Sequence, residues 1–332
     1  MEDRKGDHIR LALNSQINQD ELDARFDYEP MLGSEADGEW QPFQFLGRTM
    51  KVPLWASSMT GGAPEAQYIN QNLAKACKKF GMGMGLGSCR ILLDNEKYLP
   101  DFNVREIIGN DLPLWANIGI AQLEKMIKMG EDKRLSELVN LLRADGLIIH
   151  VNPSQESLQE EGDFLHNRPI DTIKDFLSRT ELKLIIKEVG QGMGPRSLKE
   201  LLQLPIEAIE TASFGGTNFA RLELRRRAPE NVSHLEPLAH IGHTAENMVD
   251  IINGFVESNL DIKCKQIIIS GGIKTHLDGY YLISKSKLPA IYGQASGFLH
   301  YARESYEALE KYIEEQLLGL QFSKAWLYPK IK

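Results

Sequence analysis

The chain has 332 residues, 42% hydrophobic and 25% charged, which suits a soluble globular protein of one large domain or two smaller ones. A net charge of -8 argues against broad binding to nucleic acid or to anionic membranes. The opening "MEDRKGDHIR" has no apolar core and no run reaches about 18 apolar residues, so neither a signal peptide nor a membrane span is expected. The cysteines Cys77, Cys89 and Cys264 show no C-x-x-C spacing, which predicts reduced thiols in a cytoplasmic protein and no zinc site.

In chain order, short apolar runs alternate with amphipathic stretches. The runs are Val52–Met59, Met82–Ser88, Leu112–Gly119, Asp145–Asn152, Lys183–Gly190, Ile206–Ser213, Lys265–Ile273 and Pro289–Ser296. Continuous apolar runs of this length suit strands buried on both faces of a parallel sheet. Helical patterns lie between them, in "PEAQYINQNLAKACKKFG", "AQLEKMIKMG", "LSELVNLLR", "PIDTIKDFLSRT", "SLKELLQL" and "AENMVDIINGFVESN". A last one, "ESYEALEKYIEEQLLGLQF", follows the final run and reads as a helix covering a barrel. Strand–helix units in this number predict a (β/α)8 barrel, the TIM-barrel fold. The alternative is a doubly wound open sheet, but "GMGMGLGS" lacks the G-x-G-x-x-G spacing of a dinucleotide fold. Residues 1–50 precede the first strand as an extension that closes the barrel bottom or reaches a site; residues 51–332 form the barrel domain.

Polar and small residues gather where the strands end: "SSMTGG", "GSCR", "ANIG", "HVNPSQE", "KEVGQGMG", "TASFGGTN", "SGGIKTH" and "GQASG". Barrel enzymes carry their chemistry at that end. Glycines and small polar residues at the same end of every strand suggest a large flat ligand held by backbone N–H groups. The loops after strands 7 and 8 are the usual phosphate site of the fold, and the latter leads toward a short helix. Lys187 is a cation aimed into the mouth, where burial requires an anionic partner. A flavin ring that is anionic when reduced supplies one, and the single phosphate of FMN fits better than a dinucleotide. Lys187 could instead pair with Glu188 or Glu210. "HIGH" (His240–His243) lacks a third metal ligand and reads as loop packing, and Cys89 reads as a buried, inert thiol.

Together "RKGDHIRLAL", "SSMTGG", "GSCR", "HVNPSQE…EEGD", "KEVGQGMG", "GGTNFARLE" and "SGGI" resemble the type 2 isopentenyl-diphosphate isomerases, from Arg4 to about Leu299. The resemblance implies a (β/α)8 barrel that interconverts isopentenyl and dimethylallyl diphosphate with reduced FMN and Mg2+. The reaction has no net redox change; flavin N5 takes part in proton transfer, and NAD(P)H serves only to reduce the flavin. It further implies that Arg4, Lys5, His8 and Arg90 bind the diphosphate. His150 and Asn152 line the substrate pocket, Gln155 sits near the reacting double bond as the catalytic residue, and Glu156 carries the metal. Ser58, Met59, Thr60, Gly61, Ser88 and Asn117 face the flavin, and Lys187 touches its pyrimidine side. Thr217, Gly271, Gly272, Lys274 and Ala295 fall at the ribityl or phosphate end. A homo-oligomer, a tetramer or larger, is expected, with a small-molecule diphosphate as the ligand. Cys89, Glu210, Lys274 and His276 depart from the resemblance, which leads one to expect Gln, Asp, Arg and Gly. The competing functions are an FMN-dependent oxidoreductase of the hydroxy-acid oxidase or dihydroorotate dehydrogenase type, which needs a dedicated base, and a catalytically inactive flavin-binding barrel.

Overall fold

Each apolar run contributes one strand to a closed parallel barrel. In the computed structural model, which describes residues 2–227 and 234–331, the strands are β1 (Leu54–Ala56), β2 (Gly83–Gly85), β3 (Leu114–Gly119), β4 (Gly146–Val151), β5 (Leu184–Glu188), β6 (Ala208–Glu210), β7 (Ile267–Ser270) and β8 (Ala290–Gln294). They neighbour one another in chain order, and β8 closes the barrel on β1 through Tyr292↔Leu54, Gly293↔Trp55 and Gln294↔Ala56. The strands are short because only the middle of each run is paired; the polar residues after it turn outward as loops.

The barrel interior is filled at its lower end, and that filling leaves the upper end free for a ligand. Trp55, Trp115, Ile148, Ile185, Ala208, Ile268 and Ile291 pack there with Phe45, Leu46 and Met50. The last three belong to an antiparallel hairpin, Phe43–Phe45 with Arg48–Met50, that plugs the floor. Arg105, 2% exposed, and Asp145 brace the same end at 2.9 Å, and Arg48 joins Asp145.

All of the helical patterns form helices. "ESYEALEKYIEEQLLGLQF" becomes Tyr306–Trp326, whose N-terminal Ser305 side chain accepts from the Ala308 amide. The turn after β8 continues into Ser296–Glu304. The sequence patterns did not single out His276–Lys285, because Gly279 interrupts its apolar spacing. That glycine is required by packing: a Cβ there would stand 2.5 Å from the Tyr292 ring. No helix among the described residues is long and apolar enough to cross a membrane.

The extension divides into parts with different fates. Residues 43–50 form the floor hairpin, and Phe26–Tyr28 pairs with Leu327–Pro329 near the chain end. The first helix, Glu2–Leu11, lies outside this framework, and Ile9, Leu13 and Ile17 are each about 80% exposed.

Candidate active site

Parallel pairing lines up one layer of side chains across the barrel mouth. Gly119 is opposite His150, His150 opposite Lys187, and Lys187 opposite Glu210. Residues in register on neighbouring parallel strands point to the same face, so the layer is set by strand pairing alone. Gly119 makes room: a Cβ there would stand 3.0 Å from His150 Nε2. The other ring nitrogen, Nδ1, is 2.7 Å from Asn117 Oδ1. A carbonyl oxygen can only accept, so Nδ1 carries the proton and Nε2 presents a lone pair. Burial, with Lys187 adding to it, pulls the imidazole down to about 4. His150 is therefore a neutral hydrogen-bonding group near pH 7.

Above this layer lies a cavity of about 400 Å³, within the range of small-molecule sites. Among its lining residues are Ser58, Met59, Lys187, Thr217, Gly271, Gly272, Lys274 and Ala295, all named from the sequence; Glu210, named there only as a partner for Lys187, lines it too, and Ser57, Gln294 and Ser296 are further ones that were not named. The remaining sequence candidates for that ligand, Thr60, Gly61, Ser88 and Asn117, do not line it. One wall is bare backbone. Gly271 and Gly272 have φ of 84° and 76°, a region that disfavours side chains. A Cβ on Gly271 would meet the Ser213 backbone at 2.2 Å, and one on Gly216 would meet Gly272 N at 3.2 Å. The hydroxyls of Ser57 and Ser58 are buried and lack a partner among the described residues. Unpartnered buried donors beside a side-chain-free wall are what a polar ligand would satisfy. Glu188, after Lys187, shapes the adjoining turn: its Oε2 accepts from the amides of Gly190, Gln191 and Gly192 at 2.6, 2.6 and 2.9 Å. Burial nonetheless pushes its carboxyl up.

A second polar group surrounds the helix Pro153–Leu158, which starts just after β4. Asn152 Nδ2 donates to Gln155 Oε1 at 3.1 Å and to Glu156 Oε1 at 2.8 Å. Glu156 Oε2 accepts from Gln159 Nε2 and the Asp163 amide. Gln155 Nε2 donates to Glu223 Oε1 at 3.1 Å, and Arg226 holds the other oxygen of Glu223 at 2.6 Å. Glu223 is 2% exposed and was not singled out in the sequence. Its signal lay in "GGTNFARLE", where a lone carboxylate sits on a helix otherwise rich in arginine. Both amide ends of Gln155 are thus fixed. Arg90 reaches Asp163 at 3.1 Å, bridging the loops after β2 and β4.

Other expected groups stand elsewhere. Arg4, Lys5 and His8 are exposed on the first helix and do not line the cavity. His240 approaches Glu236 and His243 approaches Asn247, so the two face different partners. Cys89 is buried, and burial pushes its thiol up to about 12, which leaves it inert. No group of three potential metal-ligating side chains occurs among the described residues.

The chain is 33% identical over 325 residues to the isopentenyl-diphosphate delta-isomerase of Synechococcus sp., covering 96% of this chain and 90% of that protein. It is 34% identical over 277 residues to the Deinococcus radiodurans isomerase of the same name, covering 83% and 78%. The chain belongs to the isopentenyl-diphosphate delta-isomerase family. No protein-family model matches it. In structure it is similar to flavocytochrome b2 (TM-score 0.61, 14% identity, 90% of this chain and 71% of that one). It is also similar to a mandelate oxidase bearing an FMN adduct (TM-score 0.55, 11% identity, 93% and 88%). At such identities the likeness establishes the barrel fold. Membership of the isomerase family on a (β/α)8 barrel is consistent with the type 2 branch.

Proposed function

We propose that the protein interconverts isopentenyl and dimethylallyl diphosphate at this barrel mouth, using reduced FMN and Mg2+. The observation that carries the reading is the juxtaposition of two sites. A glycine-walled cavity with a lysine at its base shares the barrel mouth with an uncharged carboxamide, fixed at both ends, on the helix that follows the neighbouring strand. The cavity fits FMN in its chemistry: bare backbone near Gly271 and Gly272, unpartnered hydroxyls on Ser57 and Ser58, and a cation in Lys187. Thr217, Gly271, Gly272, Lys274, Ala295 and the start of the helix Ser296–Glu304 would hold the phosphate, and Lys187 the pyrimidine side. When bound and reduced by NAD(P)H, the flavin would supply proton transfer without net oxidation.

The chain's own groups bind and orient. Gln155 presents a neutral amide to an electron-poor carbon skeleton, where a carboxylate or amine would trap a carbocation. Glu223 and Asn152 hold that amide against rotation. His150 and Asn152 line the pocket as neutral hydrogen-bonding groups. Glu156 offers a hard carboxylate oxygen that would hold Mg2+, and the ion would supply positive charge to the diphosphate. Arg90, with Arg4, Lys5 and His8 of the first helix, would neutralise the diphosphate. A homo-oligomer of four or more subunits in the cytoplasm is part of this reading, supported by the exposed apolar side chains of the extension and by three free, buried cysteines.

An oxidoreductase acting on hydroxy acids needs a strong base over the flavin. His150, drawn down to about 4, and the inert Cys89 supply none. The test is anaerobic isomerisation of isopentenyl diphosphate with FMN oxidised or reduced, with and without Mg2+. Turnover is expected only with reduced flavin and Mg2+; full activity of flavin-free protein overturns the reading.

A further inference from the structure

Lys187 and Glu210 face each other in register at the base of the cavity, and the pair is unequal. Lys187 Nζ donates to the Glu188 carbonyl at 2.8 Å and stands 4.0 Å from Glu210 Oε1, too far for a hydrogen bond. Both side chains border the cavity, Glu210 wholly buried and Lys187 8% exposed. Glu210 Oε1 accepts from Ser270 Oγ at 3.1 Å, and Oε2 has no partner among the described residues. A buried, half-satisfied carboxylate costs several kcal/mol and contributes little as a bare ion pair at this spacing. The carboxylate's remaining effect is electrostatic: held back by Ser270, it offsets part of the lysine's field without taking its hydrogen bond.

We propose that Glu210 is a positioning residue that acts through Lys187 to limit how strongly the site favours electron-rich, reduced FMN over oxidised FMN. The proposal rests on the FMN reading of this cavity. A flavin required to accept and return a proton must not be held too firmly as an anion. Lys187 alone, in a low-dielectric pocket, would stabilise that anion strongly. Glu210 places a compensating charge one strand away, 4.0 Å from Lys187 Nζ and held by Ser270 Oγ.

The readout is the ratio of the affinities of FMN for the protein in its oxidised and dithionite-reduced states, together with the reduction potential of bound FMN. Glu210→Gln keeps the size and removes the charge. It should raise the preference for reduced FMN about tenfold, which for a two-electron couple is an upward shift of about 30 mV. Glu210→Asp keeps the charge and should stay within threefold of wild type. Ser270→Ala frees Oε1 to approach Lys187 and should shift the ratio the opposite way, which keeps the proposal testable if the Gln variant does not fold. A flavin-loaded Gln variant with an unchanged ratio, or a Ser270→Ala protein with none of the opposite shift, overturns the role of Glu210 alone, whatever happens to the melting temperature. A wild-type chain that takes up no FMN overturns the cofactor reading and this proposal together.

Discussion

The rim formed by β5–β8 and the first helix represent two ways of supplying positive or donor groups to a ligand. On the rim, Lys187 is fixed by strand register and the backbone of Gly271 and Gly272 by a left-handed turn. On the first helix, Arg4, Lys5 and His8 stand in solvent, fixed by no contact to the cavity. The rim is organised before any ligand arrives, and the ligand spends little binding energy ordering it. The arm must be gathered at binding, so its contribution is net of the entropy of ordering it. The flavin end and the diphosphate end should therefore respond differently to substitution.

The largest effect is expected on the rigid side. Gly271→Ala forces a side chain into a left-handed backbone and against Ser213. Strain of about 1–3 kcal/mol and overpacking of about 1–3 kcal/mol should add. Thermal unfolding should show the loss, and flavin absorbance should disappear from the purified protein. Retention of wild-type FMN affinity would mean that the cofactor does not use this wall.

On the exposed side, Arg4→Ala and Lys5→Ala should each remove one charge-assisted hydrogen bond, about 1.5–3 kcal/mol, or roughly one to two orders of magnitude in kcat/KM. FMN affinity should not move. Steady-state kinetics and flavin titration of the same variants check this; equal losses in both would erase the contrast between the two regions.

A smaller change is expected from Glu156→Gln, which keeps an oxygen ligand but removes its charge. The Mg2+ concentration for half-maximal activity should rise on the order of tenfold, the size of about 1.5 kcal/mol, with FMN binding unaltered. A magnesium titration indistinguishable from wild type would reduce Glu156 to a cap for Gln159 and the Asp163 amide.

The smallest effect sharpens the mouth layer itself. His150 is held near 4, against about 6.5 in an unfolded chain, first by burial and then by Lys187. Between those values the unfolded chain binds the proton that the folded one refuses, so this residue's contribution to stability falls as the pH drops from 6.5 to 4 and levels off below. Lys187→Met should raise the His150 value only part of the way back, because burial remains. Titration of the imidazole by NMR measures it, and full return to 6.5 would make the lysine the principal cause.

The barrel was legible in the sequence because doubly buried strands leave continuous apolar runs, and the rim because turns at their ends need glycine and small polar residues. Lys187 stood out as a charge at the end of the apolar run "KLIIK". Glu223 did not, and Glu188 was named only as a partner for Lys187, since a carboxylate that organises a turn or orients an amide looks in sequence like any surface acid. Spacing offered both Glu188 and Glu210 as partners for Lys187 and could not choose between them, because strand register belongs to neither strand alone. The first helix carried a clear charge pattern, but charges in a solvated arm specify no position in space.

Closing β8 on β1 joins residues near the end of the chain to residues near its beginning, Tyr292 to Leu54. The cavity needs both, since Ser57, Ser58 and Met59 follow β1 while Gln294, Ala295 and Ser296 follow β8. As the ribosome extends the chain, the early strands must wait with an unpaired edge until the last one emerges, a state exposed to aggregation. No partial barrel contains the whole cavity, so a cofactor bound as proposed would reach its site only after synthesis has passed β8. Its binding then rewards the closed form over every open one by mass action. In a cell short of flavin, more of the newly made chain should be lost to proteolysis before its seam closes.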